Sequence, residues 1–178
     1  MIAVGPGLGL SEWAKVMFAA VLNSGLPLVV DADALTLLAQ KPRDRDNWIL
    51  TPHPGEAARL LHASHALVSS DRFAAVAELQ RRYGGVVVLK GAGSLVLGPE
   101  GLPRIGTTGN PGMATGGMGD VLTGVIASLI AQGLSPIDAA SFGVHLHGAA
   151  GDLAARHGGE RGMLAGDLME PLRTLVNR

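Results

Sequence analysis

A glycine-rich stretch in the second half of the chain combines an anion-binding backbone with one carboxylate. Gly116, Gly117 and Gly119 lead directly into Asp120, and an apolar helix is predicted from that point. Backbone N–H groups at a helix N-terminus bind anions, because they lack intrahelical partners and carry the positive end of the helix dipole. The same field favours an ionised Asp120, which could accept the proton of a hydroxyl that attacks phosphorus. A glycine turn in which Asp120 only stabilises the helix start explains the pattern about as well.

Four other polar loops directly follow predicted strands, where parallel α/β sheets bind ligands. These loops are 5–9, 31–33, 51–56 and 90–94. In the last of them Lys90 precedes two glycines that allow close backbone approach to a ligand, although a tight hairpin corner is the simpler interpretation. It is not a phosphate-binding P-loop, because the lysine comes before the glycines and no helix follows.

Several polar side chains in these loops have both a functional and a structural interpretation. His53 lies on a rigid turn between two prolines, where it could contact substrate or make a structural hydrogen bond. Glu56 could order a metal-bound water or a phosphate, or serve as a helix-start charge. Asp31 and Asp33 end a strand, and either could face the cleft or cap a helix.

The spacing of two histidines is found in some metal sites, but a metal site is not predicted here. His145 and His147 lie in a predicted helix, where residues two apart point to different sides. They are interpreted as packing residues or as residues behind the site, and no protein ligand for a metal is predicted. No serine lies in a nucleophile-elbow pattern, so hydrolase chemistry has little support.

The composition limits the classes of protein to which the chain can belong. The 178 residues suggest one domain, and the charged fraction of 16% is well below the ~25% of typical globular proteins. Low charge favours a heavily buried architecture, an oligomer, or both. The net charge of -1, the absence of a basic run and the 3% of aromatic residues argue against a nucleic-acid partner. No membrane span or signal peptide is predicted, and the absence of cysteine is compatible with a cytoplasmic location.

Short apolar runs alternate with helical stripes along the chain. Strands are predicted at 2–4, 27–30, 48–50 and 86–90, followed by a hairpin of 94–97 and 102–105. Helices are predicted from Ser11 to about Asn23, after 31–33, after 51–56, from Ser70 or Asp71, from the glycine loop to Gly133, from Ser135–Pro136, and from near Asp167. The helix after Asp71 is predicted to turn Phe73, Val76, Ala77 and Leu79 inward. This alternation predicts an α/β sandwich with a mostly parallel sheet.

Taken in order, these loops resemble the ADP/ATP-dependent NAD(P)H-hydrate dehydratase family of the ribokinase-like superfamily. The matching stretches are 4–9, 30–35, 50–56, 89–94, 110–124 and 147–152. The combination is specific, although each loop alone is a weak signal. The resemblance implies an α/β fold: a ribokinase-like three-layer sandwich whose mostly parallel central sheet is flanked by helices, in a single domain over residues 1–178.

The resemblance also implies a function. Family members repair the S form of hydrated NADH and NADPH: ADP or ATP phosphorylates the C6 hydroxyl of the reduced ring, and phosphate is then eliminated. Carried over by motif, Asp120 is the catalytic base and a substrate contact, and Gly7 and His53 contact the hydrated dinucleotide. The anion hole is formed by Gly117, Met118 and Gly119. The nucleotide is bound by Lys90, Gly91, Ala92, Gly93, Ser94 and Gly119, with Mg²⁺ bridging its phosphates.

One departure from the family pattern concerns the start of the chain. Family domains carry a substantial segment before the first glycine loop, whereas Met1 is almost at that loop here. We therefore expect an N-terminally shortened domain with an incomplete dinucleotide pocket and a sheet edge that a partner chain covers. A homo-oligomer is expected, as is cooperation with an NAD(P)H-hydrate epimerase.

Two other functions compete with dehydration. One is a small-molecule kinase of the same superfamily, acting for instance on a vitamin-precursor alcohol. The other is a nucleotide-binding module without turnover.

Overall fold

The computed structural model describes residues 1–177, whose strands form one six-stranded mixed sheet in the order β1-β2-β3-β4-β5-β6. Its strands are β1 (Ile2–Val4), β2 (Leu28–Val30), β3 (Trp48–Leu50), β4 (Val86–Leu89), β5 (Leu95–Leu97) and β6 (Arg104–Ile105). The first four are parallel, and in their register Val29 lies opposite Ala3 on one side and Ile49 on the other. β5 and β6 are antiparallel to their neighbours, as expected for the predicted hairpin.

Eight α-helices surround the sheet within residues 1–177. They are α1 (Glu12–Leu22), α2 (Ala32–Gln40), α3 (Pro54–Leu61), α4 (His65–Ser70), α5 (Arg72–Tyr83), α6 (Met118–Ala131), α7 (Pro136–Gly158) and α8 (Met169–Val176). Ser11 and Ser135 cap α1 and α7 as predicted, since their side chains accept the N–H groups of Ala14 and Asp138. None of the helices in the described residues is long and apolar enough to cross a membrane.

The parallel strands are buried on both faces, which explains their uninterrupted apolar sequences. Alternate residues point to opposite sides of the sheet. Val29 and Ile49 pack against α6 and α7, whereas Val30 and Leu50 pack against the layer formed by α1 to α5. The sheet therefore lies between two helical layers, and the predicted α/β sandwich with a mostly parallel central sheet is confirmed.

The inner face of α5 differs from the prediction. Phe73 is 53% exposed and Ala77 is exposed, whereas Ala75, Leu79 and Tyr83 are buried together with Val76. Tyr83 sets this face, because its hydroxyl donates to the Leu60 carbonyl of α3 at 2.8 Å. Residues four positions apart lie on the same face of a helix, so Leu79 and Ala75 point inward together with Tyr83.

One further element departs from the prediction. Helix α4 was not predicted, because six residues are too few to show a helical hydrophobic period. The last helix begins near Asp167, as predicted. Asp167 lies in a 3-10 turn (Ala165–Leu168) where its side chain accepts the Leu164 N–H at 2.8 Å, and α8 follows at Met169.

The fold predicts a stability difference between two glycines of α7. A Cβ at Gly148 would lie 2.7 Å from the backbone carbonyl carbon of Thr108, whereas one at Gly158 would meet open space. Gly148→Ala should lower the free energy of unfolding by about 1–3 kcal/mol, because α7 must move away from the Thr108 segment. Gly158→Ala is the matched control and should be neutral or slightly stabilising. Equal unfolding midpoints in urea would contradict the close approach of α7.

Candidate active site

A cavity of about 970 Å³ opens where β2, β3 and β4 end. The segments that follow these strands bring Asp31, His53 and Lys90 to its wall, and the N-terminus of α6 closes another side. This position agrees with the rule that open α/β sheets bind ligands outside the carboxyl ends of their strands. Residues from 106 to 115 and from α7 complete the lining, including Thr107, Thr108, Asn110, Met113, Val144, His147 and Gly148.

A buried ion pair lies at the base of the cavity. The Lys90 ammonium donates to Asp31 Oδ1 at 2.6 Å, and the Asp31 side chain is only 1% exposed. The hydroxyl of Thr123 donates to the other oxygen of Asp31 at 2.9 Å. Glu56 Oε2 lies 3.7 Å from the same ammonium. One cation thus serves two carboxylates, and the Thr123 hydroxyl fixes α6 to the end of β2.

His53 and Glu56 cap the start of α3 together. His53 Nδ1 accepts the N–H groups of Gly55 at 2.9 Å and Glu56 at 3.3 Å, while a Glu56 carboxylate oxygen accepts the His53 N–H at 2.7 Å. Because Nδ1 accepts, the proton of the neutral ring is assigned to Nε2. Burial lowers the pKa of His53, and the Glu56 carboxylate opposes that shift. His53 is therefore neutral at neutral pH and is held in place by this cap, with half of its side chain exposed.

The N-terminus of α6 carries no side-chain cap. Gly117 occupies the N-cap position with φ +86°, and the first intrahelical backbone bond runs from Val121 to Gly117. The N–H groups of Met118, Gly119 and Asp120 are therefore left without intrahelical partners. Asp120 is exposed, lies in this first turn and lines the cavity. The arrangement places a carboxylate next to N–H groups that are suited to bind an anion.

A glycine at position 119 allows α6 to approach the ion pair. A Cβ there would lie 3.1 Å from Lys90 Nζ and 3.5 Å from Asp31 Oδ2. The second distance is an ordinary van der Waals contact, but the first is tighter, so a side chain at this position would press on the Lys90 ammonium. The Lys90 ammonium consequently lies directly beneath the N-terminal turn that presents Asp120.

A second carboxylate anchors the glycine-rich segment that leads to α6. Asp152 of α7 accepts the N–H of Gly109 and the side-chain amide of Asn110, both at 3.0 Å. The side-chain amide oxygen of Asn110 accepts the Gly112 N–H at 3.0 Å. The segment is thus attached to α7 before it reaches α6, and α7 also lines the cavity through His147. Burial lowers the pKa of His147 to about 4, with a hydrogen bond from its ring to the Met118 backbone opposing, so its ring is neutral at neutral pH.

The structure brings most of the predicted site residues to this one cavity. Its lining includes His53, Lys90, Gly91, Ala92, Gly93, Ser94, Met118, Gly119 and Asp120. Gly117 is not part of the lining and caps α6 directly behind it. Gly7 also lies outside the lining, on the loop after β1, where the Gly9 N–H donates to Asp33 Oδ2 at 2.8 Å. The residues from Lys90 to Ser94 form the corner between β4 and β5, as the simpler interpretation had it, and line the cavity as well.

Sequence reasoning missed several of the contacts that define the site. Asp31 had two open interpretations, and the structure places it at the cavity as the partner of Lys90. Thr123 was overlooked because it lies inside a helical stripe, although a buried hydroxyl in an apolar helix signals a hydrogen-bond partner. Arg72 and Asp152 were not assigned to the site either, since both act on loops distant in sequence.

The described residues offer a metal ion few direct ligands. No group of three or more His, Asp or Glu side chains in residues 1–177 is placed to hold one. Two carboxylates of the cavity, those of Asp31 and Glu56, already pair with the Lys90 ammonium. Magnesium is commonly held by substrate phosphates, waters and one or two carboxylates. The site therefore fits an ion carried mainly by a phosphorylated ligand, with Asp120 as an exposed carboxylate of the cavity lining.

Comparison with known proteins identifies the family. Residues 1–174 match the sequence model of the NAD(P)H-hydrate dehydratase family. A bifunctional NAD(P)H-hydrate repair enzyme of Coxiella burnetii is 54% identical over 99% of this chain, which spans 36% of that relative. The ADP-dependent (S)-NAD(P)H-hydrate dehydratase of Neisseria meningitidis is 44% identical over 98% of this chain, which spans 62% of it.

Solved structures agree with this assignment. The ADP/ATP-dependent NAD(P)H-hydrate dehydratase of Bacillus subtilis, co-crystallised with ATP and Mg²⁺, matches with a TM-score of 0.88 at 32% identity. The match covers 99% of this chain and 64% of that one. A ribokinase-like superfamily protein of Enterococcus faecalis V583 matches with a TM-score of 0.86 at 32% identity, over 99% of this chain and 62% of its own. The predicted ribokinase-like fold is confirmed, and the chain belongs to the NAD(P)H-hydrate dehydratase family.

Proposed function

We propose that this chain carries the site for nucleotide-dependent dehydration of the S form of hydrated NADH and NADPH. The observation that carries the proposal is the meeting, in one cavity, of the uncapped N-terminus of α6, the Asp120 carboxylate and the loop from Lys90 to Ser94. An anion site, a base and a glycine loop are the parts that phosphoryl transfer to a hydroxyl requires. The names of the dehydratase relatives support this choice of substrate.

The chemistry assigns a role to each part. Asp120 takes the proton of the C6 hydroxyl as that oxygen bonds to the terminal phosphorus atom of ATP or ADP, whose bond to the bridging oxygen breaks to release ADP or AMP. The N–H groups of Met118 and Gly119, with the Lys90 ammonium beneath them, stabilise the charge of the phosphoryl group. Phosphate then leaves with the electron pair of the C6–O bond, assisted by the ring nitrogen, and loss of a C5 proton restores the double bond. Phosphorylation turns a poor leaving group into a good one, so no covalent enzyme intermediate is needed.

The remaining site residues belong to the same proposal. The segment from Lys90 to Ser94 binds ADP or ATP together with Gly119, and Gly117 contributes to the anion hole. His53 and Gly7 contact the dinucleotide, although Gly7 lies outside the cavity lining. Magnesium, if carried by the nucleotide phosphates, would supply additional positive charge for phosphoryl transfer.

The chain spans about a third of the bifunctional relatives it matches, so the activity of the whole protein is part of the proposal. The bifunctional names of these relatives support cooperation with an epimerase that delivers the S form. A homo-oligomeric state, a cytoplasmic location and the single domain over residues 1–178 stay predictions of the sequence.

Product analysis tests the proposed reaction. Incubation with hydrated NADH, Mg²⁺ and ADP or ATP should regenerate the absorbance of reduced nicotinamide and release inorganic phosphate in equal amounts. A small-molecule kinase would leave a stable phosphorylated product, and a binding module would bind nucleotide without releasing phosphate. Failure of a well-folded protein to restore the absorbance, with either nucleotide, would exclude dehydration.

Asp120→Asn tests the base. The amide keeps the size of the side chain but cannot accept the hydroxyl proton, so we expect turnover to fall by about 10²- to 10⁴-fold. Nucleotide binding, measured by calorimetry, should change little. Glu170→Gln is the matched control, because Glu170 is an exposed first-turn acid of α8 outside the cavity lining. Near-normal turnover by Asp120→Asn would move the base to another residue.

The ion pair beneath the site predicts a non-additive effect on stability. Lys90→Met leaves the buried Asp31 carboxylate without its cation and should lower the free energy of unfolding by about 3–5 kcal/mol. The double variant Lys90→Met/Asp31→Asn removes that unpaired charge and should recover part of the loss. Urea unfolding of the wild type, both single variants and the double variant completes this double-mutant cycle. Simple additivity would show that the two side chains do not interact.

A further inference from the structure

We propose that Arg72 is a positioning residue for nucleotide binding, which holds the loop after β4 so that the Gly93 N–H faces a bound nucleotide. The inference rests on the nucleotide-binding role proposed above for that loop. Arg72 is the first residue of α5, outside every motif that carries the family resemblance. It is not part of the cavity lining and reaches the loop from behind.

Two hydrogen bonds define the contact. Arg72 Nη1 donates to the Ala92 carbonyl at 2.6 Å, and Nη2 donates to the Leu89 carbonyl at 3.1 Å. A single guanidinium therefore spans the loop from the last residue of β4 to the middle of the turn. Gly91 makes room for it, because a Cβ at that position would lie 3.2 Å from Arg72 Nη2.

The carbonyl that Arg72 holds determines the direction of the neighbouring N–H group. The C=O of Ala92 and the N–H of Gly93 belong to one planar trans peptide and point in opposite directions. Because the Ala92 carbonyl points back to Arg72, the Gly93 N–H points to the other side of the loop. Gly93 lines the cavity, and its N–H donates to no other residue in the described part of the chain. It is a donor fixed in direction and available to an acceptor atom of the nucleotide.

The placement of Arg72 is unfavourable for the stability of its own helix. A cation in the first turn opposes the helix dipole. Burial lowers the pKa of the Arg72 guanidinium, since the charged form loses water, and its Nε is buried without a hydrogen-bond partner among residues 1–177. An unpaired buried donor costs free energy. The two loop carbonyls are the contacts that compensate for these costs, which points to the loop as the reason for an arginine at this position.

Nucleotide binding in the absence of the hydrated dinucleotide tests the proposal directly. Arg72→Ala frees both carbonyls, so we expect the dissociation constant for ADP, measured by calorimetry, to rise roughly tenfold. Arg72→Lys can reach only one carbonyl and should fall between that variant and the wild type. Amide hydrogen exchange of residues 91–94 should be faster in both variants.

Arg82→Ala is the matched control. Arg82 lies on the same helix and also donates to a backbone carbonyl, that of Leu61, but at the opposite end of α5 from Arg72. It should bind ADP like the wild type. In turnover, Arg72→Ala should raise the KM for nucleotide and leave the KM for hydrated NADH unchanged, whereas general destabilisation would raise both and lower the melting temperature.

Each result decides between the two proposals. Unchanged ADP binding and unchanged exchange of residues 91–94 in folded Arg72→Ala or Arg72→Lys would overturn the role of Arg72. A wild-type chain that binds ADP with the expected loss in the variants, but does not dehydrate hydrated NADH, would uphold this role and refute the proposed reaction. A wild-type chain that binds no ADP would refute both.

Discussion

The ion pair between Lys90 and Asp31 joins three distant parts of the chain beneath the cavity. Asp31 follows β2, Lys90 follows β4, and the Thr123 hydroxyl from α6 completes the coordination of the carboxylate. Removing two charges from water is costly, so such a pair is tolerated only where its geometry is well satisfied. That requirement fixes the ends of two strands relative to one helix. Helix α6 and the loop that begins at Lys90 are therefore tied to the same carboxylate.

Glycine positions show how closely the elements around this base approach one another. Gly119 lies against the ion pair, Gly91 against the guanidinium of Arg72, and Gly148 against the backbone of Thr108. At Gly119 and Gly148 the two elements in contact both line the cavity, whereas at Gly91 the cavity loop meets a side chain that supports it from behind. These three glycines thus serve close packing around the cavity.

The strands, most helices and the location of the cavity could be predicted from the sequence, because buried parallel strands are continuous apolar runs and ligand loops follow their ends. Contacts between side chains and loops distant in sequence could not. Thr123 lies 92 residues from Asp31, and nothing in its helical stripe names its partner. The inner face of α5 was wrong for a related reason: apolar Phe73 fits the stripe, but the buried hydrogen bond of Tyr83 sets the rotation of the helix.

Helices α3 and α6 both start at the cavity wall, yet their first turns are finished differently. At the start of α3, the backbone N–H groups already donate to the side chains of His53 and Glu56. At the start of α6, the N-cap residue is a glycine, which has no side chain to accept the N–H groups of the first turn. An anion in the cavity would thus find the N–H groups of α3 occupied and those of α6 without a hydrogen-bond acceptor in residues 1–177. The open start of α6 is built into its backbone: Gly117 has φ +86°, a conformation that side chains other than hydrogen disfavour, so a capping serine at this position would be strained.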